Sequence, residues 1–286
     1  MAKGSMPKSL TQNIGDADLS YLLYEGDGPV IILMHATGFL PWLWHPIARA
    51  LAPRWRVIAP YFCDHRETDP EKGGLSWFMI AEDLARFCTV LDLDRPGLAG
   101  HSMGATISTL THAKFGVKAR GLILIEPIFF PEDLYKMEIT LKQHPLASRA
   151  IRRRDHWGNR EEARAYLLSK SLFKNWDPEM LELYIDHGMK ETGGGGLQLT
   201  CSPRREASMF MGSMEYDPWP LLPQVSCPCL ILEGEDSPNR GFIDLKKATS
   251  AIPKSTYRMI SQAGHLIPME KPKLISKIIE EFFAPL

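Results

Sequence analysis

The feature that most constrains this 286-residue chain is a series of short apolar runs spaced roughly a helix apart. Val30-Ile31-Ile32-Leu33-Met34 comes first, then 56–60, a weaker run at 96–100, 121–125, 229–232, and an alternating, edge-like run at 255–260. A run of apolar residues without alternation belongs to a strand buried on both faces. Helical patterns lie between. In 76–91 the apolar positions are Phe78, Met79, Ile80, Leu84, Phe87, Cys88 and Leu91. Residues 103–115 and 271–283 repeat the pattern, the latter through Leu274, Ile275, Ile278, Ile279 and Phe282. Strand and helix in alternation predict an α/β fold, with a mostly parallel, doubly wound sheet. Upstream, 19–24 reads as a strand, and Gly26-Asp27-Gly28-Pro29 as a tight turn into the next, making an antiparallel entry hairpin.

Between about Pro131 and Pro220 the rhythm changes. Amphipathic segments at 133–151, 160–173, 178–189 and 203–215 predict a helical cap inserted between the fourth and fifth core strands. The core domain is then 6–130 with 221–286, and the cap 131–220. Arg152-Arg153-Arg154 reads as a solvated helix face. Gly193-Gly194-Gly195-Gly196 reads as a flexible connection after a helix; it lacks the Lys-Ser/Thr of a phosphate loop.

Composition narrows the function classes. Thirty-three basic and 34 acidic side chains give a net charge of −1, which argues against a nucleic-acid or membrane partner. The N-terminal residues lack the apolar core of a signal peptide, and residues 1–5 are set aside as a partly vector-derived leader. Five scattered cysteines, Cys63, Cys88, Cys201, Cys227 and Cys229, point to free thiols in a reducing cytoplasm. Cys227-Pro-Cys229 has no second Cys/His pair nearby, so it reads as core thiols at a strand start, not as a metal site.

The chemistry concentrates in three loops. Gly100-His101-Ser102-Met103-Gly104 fits G-x-S-x-G between a strand and a helix, the setting that holds a nucleophilic serine in a sharp turn. His35-Ala36-Thr37-Gly38 follows the first buried strand. The backbone N–H groups of Thr37 and Met103 are the candidate oxyanion donors, with His35 as a structural hydrogen-bonder. His265, in Ala263-Gly264-His265-Leu266-Ile267-Pro268, lies after the last strand and is the candidate base.

With these motifs the chain resembles the α/β-hydrolases of the esterase, haloalkane dehalogenase and epoxide hydrolase type, over nearly its whole length. The His35 loop with Trp44 nine residues beyond, the serine turn, the cap and the Gly-His-Leu-Ile-Pro-Met-Glu-Lys-Pro ending carry the resemblance. Asp64-His65-Arg66 stands where that family often has Asp-x-Arg-Gly, with Glu67 in place of glycine. The resemblance also implies a triad carboxylate, commonly in Gly-x-x-Asp after the fifth core strand. Here that position is Ser237, in Gly234-Glu235-Asp236-Ser237, with Asp236 one residue early. The family's second placement, after the preceding strand, is filled by Glu126. A carboxylate ending a run of Leu and Ile is costly unless paired, so Glu126 is preferred and Asp236 is the alternative.

The expectation is a serine hydrolase, carboxylesterase-like, cleaving an ester or thioester of a mainly apolar small molecule without cofactor or metal. Serine at residue 102 argues against the dehalogenase and epoxide chemistries, which in this family use aspartate. Phe39, His101, Phe129 and Trp157 are candidate substrate contacts. Carbon–carbon, amide or perhydrolase chemistry on the same groups is the alternative, and a non-catalytic ligand receptor the second.

Overall fold

The computed structural model describes residues 6–286, so the leader assigned to residues 1–5 lies outside the described residues. The strands are β1 (Lys8–Asn13), β2 (Asp18–Tyr24), β3 (Val30–Met34), β4 (Arg56–Pro60), β5 (Gly97–His101), β6 (Gly121–Ile125), β7 (His156–Trp157), β8 (Met189–Glu191), β9 (Leu197–Leu199), β10 (Cys229–Gly234) and β11 (Ser255–Ile260). Eight form one sheet in the order β1-β2-β4-β3-β5-β6-β10-β11. The pairs from β4 to β11 are parallel, and β2 is antiparallel to both β1 and β4.

The entry hairpin differs from the sequence expectation. β2 pairs with β1, through the turn closed by Ile14 N–H and the Ala17 carbonyl, and β4 separates β2 from β3. Gly26 and Gly28 therefore serve close approach instead of a two-strand turn. A Cβ on Gly26 would lie 2.3 Å from the Ala52 and Trp55 carbonyl oxygens, and one on Gly28 1.8 Å from that of Arg54.

Among the described residues there are ten α-helices: α1 (His45–Leu51), α2 (Trp77–Val90), α3 (Met103–Ala113), α4 (Ala147–Ala150), α5 (Arg160–Leu168), α6 (Pro178–Gly188), α7 (Pro203–Met211), α8 (Leu245–Ala251), α9 (Ile267–Glu270) and α10 (Pro272–Phe283). Successive strand residues face opposite sides of the sheet. Ile32, Met34 and Leu98 pack with Leu84 and Phe87 of α2, Ile107 and Leu110 of α3, and Leu245 of α8. Ile31, Leu33 and Ala99 pack on the other face with Ile47 of α1 and Ile275, Ile278 and Phe283 of α10. The sheet is thus covered on both faces, as its uninterrupted apolar runs require. Ser76 caps α2, its Oγ accepting from Phe78 N–H at 3.2 Å.

The crossovers after β3 place β4 on one side and β5 on the other. Loops leaving β3 and β5 therefore diverge at the C-terminal edge, the place where open α/β sheets form a crevice.

The segment between β6 and β10 holds α4 to α7 and a small antiparallel sheet in the order β7-β9-β8, which the sequence pattern does not show. Strands of two and three residues are too short to display a period. Of the helix expected over 133–151, only α4 and a 3-10 turn at Leu134–Lys136 form. The four glycines join β8 to β9, so they follow a strand, with Gly195 at φ +81°. The arginine triplet follows α4 in a turn. Arg152 and Arg154 are exposed, but Arg153 turns inward to Glu206 Oε2 at 2.5 Å and the Tyr184 hydroxyl at 3.1 Å. Among the described residues no helix is long and apolar enough to cross a membrane.

Candidate active site

Ser102 sits between β5 and α3 with φ 55° and ψ −116°, a conformation that costs a non-glycine residue energy. Its neighbours explain how the chain turns so sharply. A Cβ on Gly100 would lie 2.3 Å from the Gly104 carbonyl carbon, and one on Gly104 2.3 Å from the Met34 carbonyl oxygen. Glycine at both places lets β3, β5 and α3 close on one another. The turn is pinned by Ser102 N–H donating to the Ile125 carbonyl at 2.8 Å. Ser102 makes no side-chain cap on α3, so its hydroxyl is not spent on the helix's first-turn N–H groups.

The loop after β3 is held by a histidine. Phe62 N–H donates to His35 Nε2 at 3.0 Å, so that nitrogen is the acceptor and Nδ1–H donates to the Ala36 carbonyl at 2.9 Å. Burial pushes this imidazole down to about 4, and it stays neutral. His35 is thereby a loop anchor. Thr37 is buried, Gly38 takes φ +76°, and Phe39 N–H closes the turn on the Ala36 carbonyl at 3.2 Å.

Glu126 directly follows β6, with φ 51° and 1% exposure. Its Oε1 accepts from Gly234 N–H at 2.6 Å, and its Oε2 from the Ser237 hydroxyl at 2.6 Å. The same Oε2 stands 2.9 Å from His265 Nδ1. Donors on both oxygens offset the desolvation that an isolated carboxylate would suffer there. Ser237, at the position where the resemblance places an acid, is instead a donor to Glu126. Nothing local in the sequence signals that role, since the contact spans 111 residues.

Asp236 does not reach the histidine. Its backbone N–H is taken by the Ala263 carbonyl at 2.9 Å, its side chain is exposed, and no hydrogen bond or ion pair of its carboxylate occurs among the described residues. The one-residue offset turns it outward, which removes it as the alternative partner of His265.

The profile of the alpha/beta hydrolase family matches residues 31–278, from β3 into α10. This chain belongs to the alpha/beta hydrolase family. Within that family, it is 24% identical over 260 residues to the 2-(acetamidomethylene)succinate hydrolase of Mesorhizobium japonicum, covering 90% of this chain and 89% of the relative. An E-2-(acetamidomethylene)succinate hydrolase structure superposes with a TM-score of 0.81 at 22% identity, over 97% of this chain and 99% of that one. A malate-bound thermophilic esterase from Thermogutta terrifontis gives a TM-score of 0.70 at 24% identity, over 98% and 99%. An uncharacterized Mycobacterium tuberculosis protein is 29% identical over 126 residues; the match spans 44% of this chain and only 37% of that protein.

The candidate substrate contacts of this family member divide. His101 is 1% exposed, and its Nε2–H donates to the His265 carbonyl at 2.9 Å. Burial holds its imidazole well below the usual range, so it is neutral. His101 thus braces the His265 loop from beneath. Phe129 is fully buried against Trp219, with ring centroids 6.3 Å apart, and belongs to the core. Trp157 lies in β7 beside Tyr166, with its indole N–H unpartnered. Phe39 stands at the seam, packing on Trp176 at 5.6 Å and Tyr184 at 5.9 Å from the inserted segment. Glu206 also crosses that seam. A Cβ on Gly38 would lie 2.6 Å from its Oε1.

Proposed function

We propose that this chain is a serine hydrolase that cleaves the ester or thioester of a mainly apolar small molecule through an acyl-enzyme. The observation that carries the reading is the 2.9 Å contact between Glu126 Oε2 and His265 Nδ1, at the same sheet edge as the strained Ser102. Ionised Glu126 accepts Nδ1–H, which leaves Nε2 free to act as base. Ser102 Oγ attacks the carbonyl carbon and gives its proton to His265 Nε2. The carbonyl oxygen, now negative, takes hydrogen bonds from Thr37 and Met103 N–H. Collapse expels the alcohol or thiol with the proton from His265. Water then repeats the sequence on the acyl-serine and releases the acid. The inserted segment serves as a cap, with Phe39, Trp176 and Tyr184 at its seam supporting an apolar acyl side. The five free, buried thiols fit a reducing cytoplasm.

Amide hydrolysis is the second reading. The 24% identity over 90% of the chain to a relative named for an acetamidomethylene substrate favours it. The same groups serve, with His265 protonating a leaving nitrogen.

A fluorophosphonate probe tests the shared mechanism. Wild-type protein should be labelled stoichiometrically, and Ser102→Ala should lose both labelling and turnover, by roughly 10⁶-fold for the latter. An unlabelled wild type would overturn the nucleophile and leave a receptor. A panel of nitrophenyl esters of rising acyl length, assayed beside matched anilides, then separates ester from amide specificity.

A further inference from the structure

The inserted segment brings one carboxylate onto the loop after β3. Glu206, in the first turn of α7, has its Oε1 2.6 Å from where a Cβ on Gly38 would lie, so it fills the space that the glycine leaves open. Its other oxygen, Oε2, accepts from Arg153 Nη1 at 2.5 Å, and Arg153 Nη2 donates to the Tyr184 hydroxyl at 3.1 Å. Oε1 takes no hydrogen bond from any described residue, and the side chain is 12% exposed, so that oxygen stays reachable. Gly38 directly follows Thr37, the candidate oxyanion donor, and precedes Phe39, which packs on Trp176 and Tyr184. A bare carboxylate here would repel the developing oxyanion. Arg153 cancels that charge, and its own charge is then spent and not free to seat an anionic substrate. What remains is one unused acceptor beside aromatic walls, the pattern by which a mainly apolar pocket fixes orientation.

We propose that Glu206 is a specificity-determining residue, whose Oε1 accepts a hydrogen bond from a neutral O–H or N–H on the acyl part of the substrate. This rests on the serine-hydrolase reading above. It narrows the substrate class to acyl groups that carry a hydroxyl or a secondary amide close to the scissile carbonyl. Successive Cα atoms are about 3.8 Å apart, so a carbonyl held at Thr37 N–H brings the second or third acyl carbon near Gly38. A substrate without the donor leaves Oε1 stripped of water and unpaired, which is how a site built around a polar group rejects the analogue lacking it. A cationic group gains less there, because Arg153 has already matched the charge.

The test compares the 2- and 3-hydroxy, acetamido and methoxy derivatives of nitrophenyl butanoate on the full chain, each rate divided by that of uncatalysed hydrolysis. In wild type, kcat/KM for a hydroxy or acetamido ester should exceed that for the methoxy ester of the same position by roughly 10–100-fold. E206Q should reverse the order. Arg153 holds the glutamine oxygen, so the amide NH2 takes the place of Oε1 and favours methoxy, an acceptor without a donor. R153M/E206M leaves neither charge unpaired and should bring the ratio to within about twofold of unity. A merely structural pair would lower all the esters together and leave their ratios as in wild type. A wild type with no preference for a donor overturns the proposal, as does a preference that persists in E206Q. If R153M/E206M does not melt cooperatively, E206Q alone decides. If wild type takes no fluorophosphonate label, the serine-hydrolase reading fails and the role of Glu206 falls with it; a labelled wild type whose ratio is unchanged in E206Q removes only the role of Glu206.

Discussion

The C-terminal edge of the sheet and the inserted segment above it use polar groups in opposite ways. At the edge, the key groups are buried and mostly partnered, although His101 Nδ1 lacks a hydrogen-bond partner among the described residues. Glu126 has a donor on each oxygen, His35 is held at both nitrogens, and His101 ties its Nε2–H to the His265 loop. In the insert most charge sits in exposed pairs, although Arg153 and Glu206 pair in a more buried setting. Arg160 bridges Glu182 and Asp186, Arg164 binds Glu182 at 2.7 Å, and Arg154 binds Glu162. The indole N–H groups of Trp157 and Trp176 are buried without partners among the described residues. Buried polar networks fix one geometry at high cost of error, whereas exposed pairs contribute little and aromatic packing tolerates shifts. The sheet edge is therefore held to one geometry, whereas the packing of the inserted segment tolerates change.

The largest effect should come from the two carboxylates that the sequence leaves as rivals. Glu126→Gln should cut kcat/KM by roughly 10³–10⁴-fold, while Asp236→Asn should stay within about twofold. Steady-state kinetics on one activated ester decides it, and the reverse ranking would reassign the acid.

Next comes the pH dependence of stability. His35 is neutral in the folded chain down to about 4, but takes up its proton near 6.5 when unfolded. The unfolded state thus binds more protons as pH falls below 6.5, and folding loses up to about 3 kcal/mol by pH 4. Above 6.5 the contribution is complete. Burial lowers His101 in the same direction. Urea midpoints at pH 7.5 and 5.0 should differ accordingly, and His35→Asn should flatten the trend. A wild-type midpoint that rises on acidification would contradict it.

The smallest effect belongs to the insert. Arg164→Ala removes an exposed pair and should cost less than about 1 kcal/mol, shrinking further in high salt. A loss of several kcal/mol in a thermal melt would erase the contrast between the two regions.

Much of the edge is legible in the sequence because its determinants are local. Continuous apolar runs mark β3, β4, β6 and the start of β10, and the glycines at 100 and 104 mark the turn at Ser102. β1 is not legible. Its residues, Lys8-Ser9-Leu10-Thr11-Gln12-Asn13, are nearly all exposed, so burial leaves no pattern. The order of β2, β4 and β3 is decided by long-range pairing, which turn residues alone do not encode. Ser237 also escapes the sequence, because only the fold of the loop after β10 brings its side chain to Glu126.

Ser102 and Glu126 directly follow the neighbouring strands β5 and β6, and both hold positive φ, at 55° and 51°. Selection for folding alone would favour glycine at each, since glycine enters that region without the steric cost. The chain keeps a serine and a glutamate there, side by side, among buried residues. Glycine at either position should therefore relieve the backbone cost while removing a side chain that the proposed reaction needs.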